Sequence, residues 1–180
     1  MNHDSYPDSY IRCILNTVKS IAMVGFSPNT SRPSYFVFKY FLERGTRVIP
    51  VNPGHAGKEI LGQKVYGKLA DIPEPIDMVD IFRASEFVPG VVAEALALRP
   101  LPQVIWLQLE IRNDAAAAIA EAAGIKVVMN RCPKIEYGRL SSEISWMGIN
   151  SRTLSSKRGQ ILPGGVQRMG LGNAGDKKSD

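Results

Sequence analysis

Four groups of polar residues each stand directly behind an apolar run in this chain, and the first holds the most chemistry. Gly25-Phe-Ser27-Pro-Asn-Thr-Ser31-Arg32-Pro33-Ser34 follows Ile21-Ala-Met-Val24. A glycine at 25 lets the backbone come close to a ligand. Ser27, Ser31 and Ser34 offer hydroxyls. Pro33 reads as the first residue of a helix, and the free N–H groups at a helix start attract anions. Arg32 adds a cation beside them. A diphosphate suits this combination. The competing reading has the serines capping the helix and Arg32 solvated, and the loop alone leaves the two even. Asn52-Pro53, Arg83 and Gln108 stand behind three further runs.

The remaining reactive residues are few. Cys132, in Asn130-Arg131-Cys132-Pro133, follows an apolar run and adjoins a cation that would lower its pKa and favour the thiolate. The weightier reading is an ordinary buried cysteine. His3 falls in a terminus expected to fray, and His55 in a Gly-rich loop expected to be exposed. The two cysteines, 13 and 132, lie far apart and form neither a zinc motif nor a disulfide framework, which fits a reducing, cytoplasmic address. No catalytic set and no metal site is legible.

Positioning these groups requires regular elements, and the pattern supplies them. Ile11, Ile14, Leu15 and Val18 recur at helical spacing, with Asp8 or Ser9 as N-cap. Strands are predicted at 21–24, 47–51, 78–82, 104–107 and 125–129. Helices are predicted at 33–44, with Phe36, Val37, Tyr40 and Phe41 inward, at 86–98, and from an Asn113 cap to Gly124. Pro50 cannot donate a ladder bond, so pairing fails on one side of its strand. The stretch 53–75, rich in Gly and Pro, holds at most a short strand and a short helix. Trp106, inside an apolar strand, belongs to the core. Trp146 is expected to anchor the C-terminal segment.

Strands that are apolar nearly throughout and alternate with helices are the mark of a parallel sheet covered on both faces. Right-handed crossovers make it doubly wound, and its ligands bind beyond the carboxyl ends of the strands near the switch in strand order. All four polar groups fall there.

Several function classes are disfavoured. The run after residue 25 lacks the G-x-G-x-x-G spacing, and Asn52 stands where a dinucleotide site needs an acid for the ribose. An NAD(P)-dependent oxidoreductase is therefore the least favoured reading. No apolar run approaches the ~18 residues needed to cross a membrane. The net charge of +5 arises mostly in the tail: residues 152–180 hold six Lys/Arg against two Asp/Glu, and the rest holds 16 against 15. A solvated tail explains this better than a nucleic-acid-binding arm.

The runs VGFSPNTSRPSYFVFKYFLERGTRVIPVNP and GKEILGQKVYGKLADIPEPIDMVDIFR, with VIWLQLEI, VVMNRCPKIEYGRL and GINSRTLSSKR, carry a resemblance. Over residues 10–158 the chain resembles the small stand-alone CoA-binding domain proteins, relatives of the CoA-binding domain of succinyl-CoA synthetase α subunits. The resemblance implies a Rossmann-like α/β fold of about five strands over 1–158, helices on both faces, and a basic tail at 159–180 expected to be disordered. It implies coenzyme A as ligand, lying across the strand ends. Gly25, Ser27, Arg32, Pro33 and Ser34 would face its phosphates, and Asn52 and Pro53 would flank the nucleotide. Lys58 would add charge, Phe82 and Arg83 would lie beside the ligand, and Gln108 would close the fourth strand.

Two positions depart from that family's pattern: Glu110 where WLQxGI is usual, and Asn130 where VMDRC is common. The implied role is binding of CoA or acyl-CoA. The alternative is an enzyme or enzyme subunit in acyl-CoA or thiol chemistry, with Cys132 forming a mixed disulfide with the CoA thiol. A homodimer is also open.

Overall fold

Short apolar runs separated by Gly and Pro become strands, and longer amphipathic runs become helices. In the computed structural model the described residues are 1–141; the GINSRTLSSKR segment, Trp146 and the tail expected from 159 lie outside them. The elements in chain order are α1 (Asp8–Thr17), β1 (Ser20–Val24), α2 (Pro33–Glu43), β2 (Arg47–Val51), β3 (Glu59–Ile60), β4 (Gln63–Lys64), β5 (Met78–Ile81), α3 (Val88–Ala97), β6 (Val104–Leu107), α4 (Asp114–Ala122), β7 (Lys126–Val128) and α5 (Pro133–Leu140).

Five strands form one all-parallel sheet in the order β2-β1-β5-β6-β7. The fold is α/β and Rossmann-like. The chain winds outward from β1 to β2, then returns to the other side of β1 for β5, so the order switches between β1 and β5. Strand side chains alternate between two cores. Ala22, Val79, Ile105 and Val127 meet α3 and α4, whose Val92, Ala95, Ala116 and Ala120 lie against them. Ile21, Met78, Val104 and Val128 meet α1, α2 and α5 through Ile14, Phe38 and Leu140.

Local chemistry explains the boundaries. Asn113 Oδ1 accepts the Ala116 N–H at 2.9 Å and starts α4. Pro50 lies on the edge strand β2, where its carbonyl faces outward and accepts the Tyr66 N–H at 2.9 Å. Its missing N–H therefore falls on that outer side and costs no bond to β1. Trp106 is fully buried, with Nε1 donating to the Arg131 carbonyl at 2.7 Å.

Five expectations are corrected. The inward stripe of α2 is Ser34, Val37, Phe38 and Phe41, while Phe36 is exposed and Tyr40 half-buried. The aromatic density of the run hid the phase. The N-cap of α1 is Pro7, and Asp8 instead pairs with Arg139 at 2.7 Å. The terminus does not fray: His3 is buried, with Nδ1 2.9 Å from the Tyr6 hydroxyl, and Asp4 pairs with Arg112 at 2.6 Å. The stretch 53–75 folds as the β3–β4 hairpin with two 3-10 turns, Pro53–His55 and Leu69–Asp71. In the first turn His55 is half-buried rather than exposed, and its Nδ1 is enclosed without a partner among the described residues. Helix α5 was not foreseen, because Pro133 and Gly138 break its pattern.

The switch point has a steric signature. Gly25 adopts φ +83°, and a Cβ there would lie 2.8 Å from the Phe82 carbonyl oxygen and 2.9 Å from Arg83 Cδ. The glycine is needed by the protein's own packing. Gly25→Ala is expected to destabilise the fold by roughly 2–4 kcal/mol, combining left-handed strain with overpacking. Chemical denaturation measures this; an unchanged midpoint would show that the β5 end simply moves aside.

Candidate functional site at the strand ends

The loop between β1 and α2 is held from below by three side chains. Phe26 is fully buried against Phe38, ring centroids 4.7 Å apart. Ser34, buried in the first turn of α2, accepts the Ser27 N–H on its Oγ at 3.1 Å. Asn52, just past β2, donates from Nδ2 to the Phe26 carbonyl at 2.7 Å and accepts the Gly54 N–H on Oδ1 at 2.8 Å. The outer part of the loop is organised by Asn29, whose Oδ1 accepts both the N–H (2.9 Å) and the hydroxyl (2.8 Å) of Ser31.

These bonds separate shaping residues from presented ones. Ser34 and Asn52 shape the loop. Ser27 is half-buried, and Arg32 and Pro33 are exposed at the start of α2, where Arg32 is the N-cap and no side chain caps the helix. Arg32 forms no ion pair among the described residues. On the other side of the switch, the Phe82 N–H donates to the Val24 carbonyl at 2.8 Å, and the half-buried Arg83 lies with its guanidinium 4.4 Å from the Phe87 ring centroid. The Gln108 N–H donates to the Ile81 carbonyl at 3.3 Å, which places it at the end of β6. Gly25, Ser27, Ser34, Asn52, Phe82, Arg83 and Gln108 are thus joined in one ridge. Pro53 is exposed behind Asn52, and Lys58 is exposed farther out, at the base of the β3–β4 hairpin.

The chain belongs to the CoA-binding domain family. Its family model matches residues 19–138, from β1 to within α5. The chain is 38% identical over 127 residues to the uncharacterized protein YneT of Bacillus subtilis, covering 71% of this chain and 91% of that protein. A hypothetical protein from Pyrococcus horikoshii OT3 shares the structure with a TM-score of 0.71 and 39% identity, covering 76% of this chain and 94% of that one. An 80-residue stretch is 35% identical to the alpha subunit of the ADP-forming acetate–CoA ligase I of Pyrococcus furiosus, 42% of this chain but 17% of that subunit.

Two titratable groups lie under the ridge. Sequence reasoning passed over Asp80, although a lone acid inside the run Met78-Val-Asp-Ile is a legible signal. It is fully buried, both oxygens facing Gln108 Nε2 at 2.9 and 3.1 Å, and burial pushes its carboxyl up to about 8. Cys132, the N-cap of α5, is buried, and burial first, with Asp80 nearby, pushes its thiol up to about 11. The weightier reading, an ordinary buried cysteine, holds, and the thiolate alternative does not: Arg131 lies near Glu136 and over the Tyr6 ring.

Two outcomes follow. Asp80 is protonated more readily folded than unfolded, so its contribution to stability is full below its ordinary value of 3.8 and is lost as pH rises towards 8. Asp80→Asn should match wild type in acid, apart from a constant offset, and become progressively the more stable protein up to about pH 8. Denaturant titrations across that range check this, and parallel curves would contradict a raised carboxyl. Separately, a thiol-alkylating reagent near neutral pH should modify the exposed Cys13 well before Cys132. Peptide mass spectrometry reads the order, and faster labelling of Cys132 would overturn this account of its burial.

Proposed function

We propose that this chain binds coenzyme A or acyl-CoA, with the diphosphate on the loop between β1 and α2. The observation that carries the reading is the loop itself. Ser34 and Asn52 hold it from beneath, while Arg32, without an ion pair among the described residues, stands at the start of α2. A helix N-terminus with a guanidinium beside it is a natural partner for phosphate oxygens. Gly25, Ser27 and Pro33 would form the floor of the diphosphate site, and Pro53 would flank the nucleotide. Lys58 would draw the 3′-phosphate, and Phe82, Arg83 and Gln108 would line the far wall. Membership of the CoA-binding domain family agrees with this ligand.

Asn52 also favours CoA over NAD(P). Both ends of its carboxamide are already engaged, and no acid closes β2 to take a ribose. The role is binding rather than catalysis. Burial pushes the Cys132 thiol up to about 11, so it stays neutral near pH 7. The acetate–CoA ligase subunit that shares part of this sequence points to a second reading, in which the bound coenzyme is presented to a partner chain.

Isothermal titration with CoA, with NAD and ADP as controls, tests the proposal beside Arg32→Ala. CoA is expected to bind more tightly than either control, and the variant to lose about tenfold in affinity, the worth of one charge-assisted hydrogen bond. Equal affinity for NAD and CoA, or no loss in the variant, would defeat the assignment.

A further inference from the structure

The pair beneath the ridge poses a problem of hydrogen-bond supply. Asp80 Oδ1 and Oδ2 share one nitrogen, Gln108 Nε2, and no other side chain or backbone group bonds to them among the described residues. An ionised carboxylate has room for about four donors, so one amide nitrogen leaves it short at a fully buried position. A neutral carboxylic acid has the opposite need, an acceptor for its O–H. With Nε2 turned inward, Gln108 cannot accept. Half a turn of the carboxamide puts Oε1 in the same place, because its oxygen and nitrogen are nearly equal in size. The O–H of Asp80 then has its acceptor, and Nε2 faces the other way.

We propose that Asp80 is a positioning residue whose proton decides which end of the Gln108 carboxamide meets the ligand. An N–H donor would be turned to the strand ends when the acid is neutral, and a carbonyl acceptor when it is ionised. A phosphate-bearing ligand carries acceptors, so it would be held by the neutral form and released by the ionised one. The identity of that ligand rests on the coenzyme-binding reading above; the rotation of Gln108 does not.

The surroundings isolate this proton. The flanking strands place Met23 and Trp106 in register with Asp80. Packed over the same face, α1 buries Ile11 and Ile14, and α2 buries Ser34, Val37, Phe38 and Phe41, none of which titrates. From α5 comes Cys132, whose thiol is pushed up to about 11 and stays neutral until well above the carboxyl, with Lys134 acting on that thiol rather than on Asp80. Burial sets the carboxyl at about 8, where it can be titrated in the intact fold.

The test uses the full chain, wild type and Asp80→Asn, from about pH 6.5 to about pH 9.5, a range that brackets the raised carboxyl. The side-chain amide protons of Gln108, followed by 15N NMR, report protection from solvent exchange relative to a free carboxamide. In wild type, protection should rise in one step as the amide turns inward, and Asp80→Asn should show no step. CoA affinity, measured by titration calorimetry over the same range, should fall about tenfold across that step in wild type and not in the variant. Gln108→Met, which leaves the carboxyl in place, should also abolish the affinity step and covers the case of a poorly folded Asp80→Asn. Constant protection in wild type, or an equal step in Asp80→Asn, overturns the proposal. A protection step without CoA binding at any pH would defeat the coenzyme reading and leave the rotation standing.

Discussion

The organisation of this protein depends on how closely the end of β1 approaches the end of β5. Two parallel strands that part company at a switch point leave a crevice between the segments that follow them. Here that crevice has almost no clearance on the protein side: the Gly25 backbone lies against the Phe82 carbonyl and the Arg83 stem. A left-handed glycine lets the chain turn away from the sheet and start the loop to α2. Glycine at this position is commonly read as making room for a ligand. In this chain the space is consumed by the neighbouring strand.

From that contact the division of labour among the polar residues follows. A loop leaving a sheet at a sharp turn has backbone groups to satisfy, and the nearest side chains must supply the partners. Ser34 and Asn52 do so, each reaching back to the segment Phe26–Ser27. Because those two are occupied, the charge available to a ligand comes from residues farther out. Arg32 at the helix start and Lys58 beside the hairpin are both exposed. The residues that shape the loop are uncharged, while Arg32 and Lys58 are exposed and Arg83 is half-buried.

Much of this was legible in the sequence, for physical reasons that also mark the limits. The parallel five-strand sheet followed from apolar runs of the right length alternating with helices, because such a sheet leaves few alternatives. The Asn113 cap was readable because capping is local. Packing phase in α2 was not, since seven of its eleven residues are large and apolar or aromatic and periodicity alone offers more than one stripe. The fate of His3 was equally hidden: its partners Tyr6 and Glu121 come together only when the terminus lies along α4 and β7. Cys132 shows the general difficulty with single residues. Its neighbour Arg131 offered a lowered pKa, but the weightier reading, a buried cysteine, is the one the structure bears out, and burial decides the sign.

The two departures from the family pattern turn out to be one structural unit. Glu110 and Asn130 both have positive φ, +66° and +54°, at the ends of β6 and β7. The Glu110 N–H donates to Asn130 Oδ1 at 2.8 Å, so the second position must provide an acceptor oxygen at the right distance, which a carboxylate or a carboxamide does equally. Asn is among the residues that enter the left-handed region most easily, and it keeps the bond while removing a negative charge. Glu110 bears the conformational cost, about 1–2 kcal/mol for an L-residue in that region. Its side chain is exposed, so the carboxylate is solvated. The charge it adds is therefore offset one residue pair away by the charge Asn130 lacks. Glu110 and Asn130 thus join the segments beyond β6 and β7 through one backbone-to-side-chain bond.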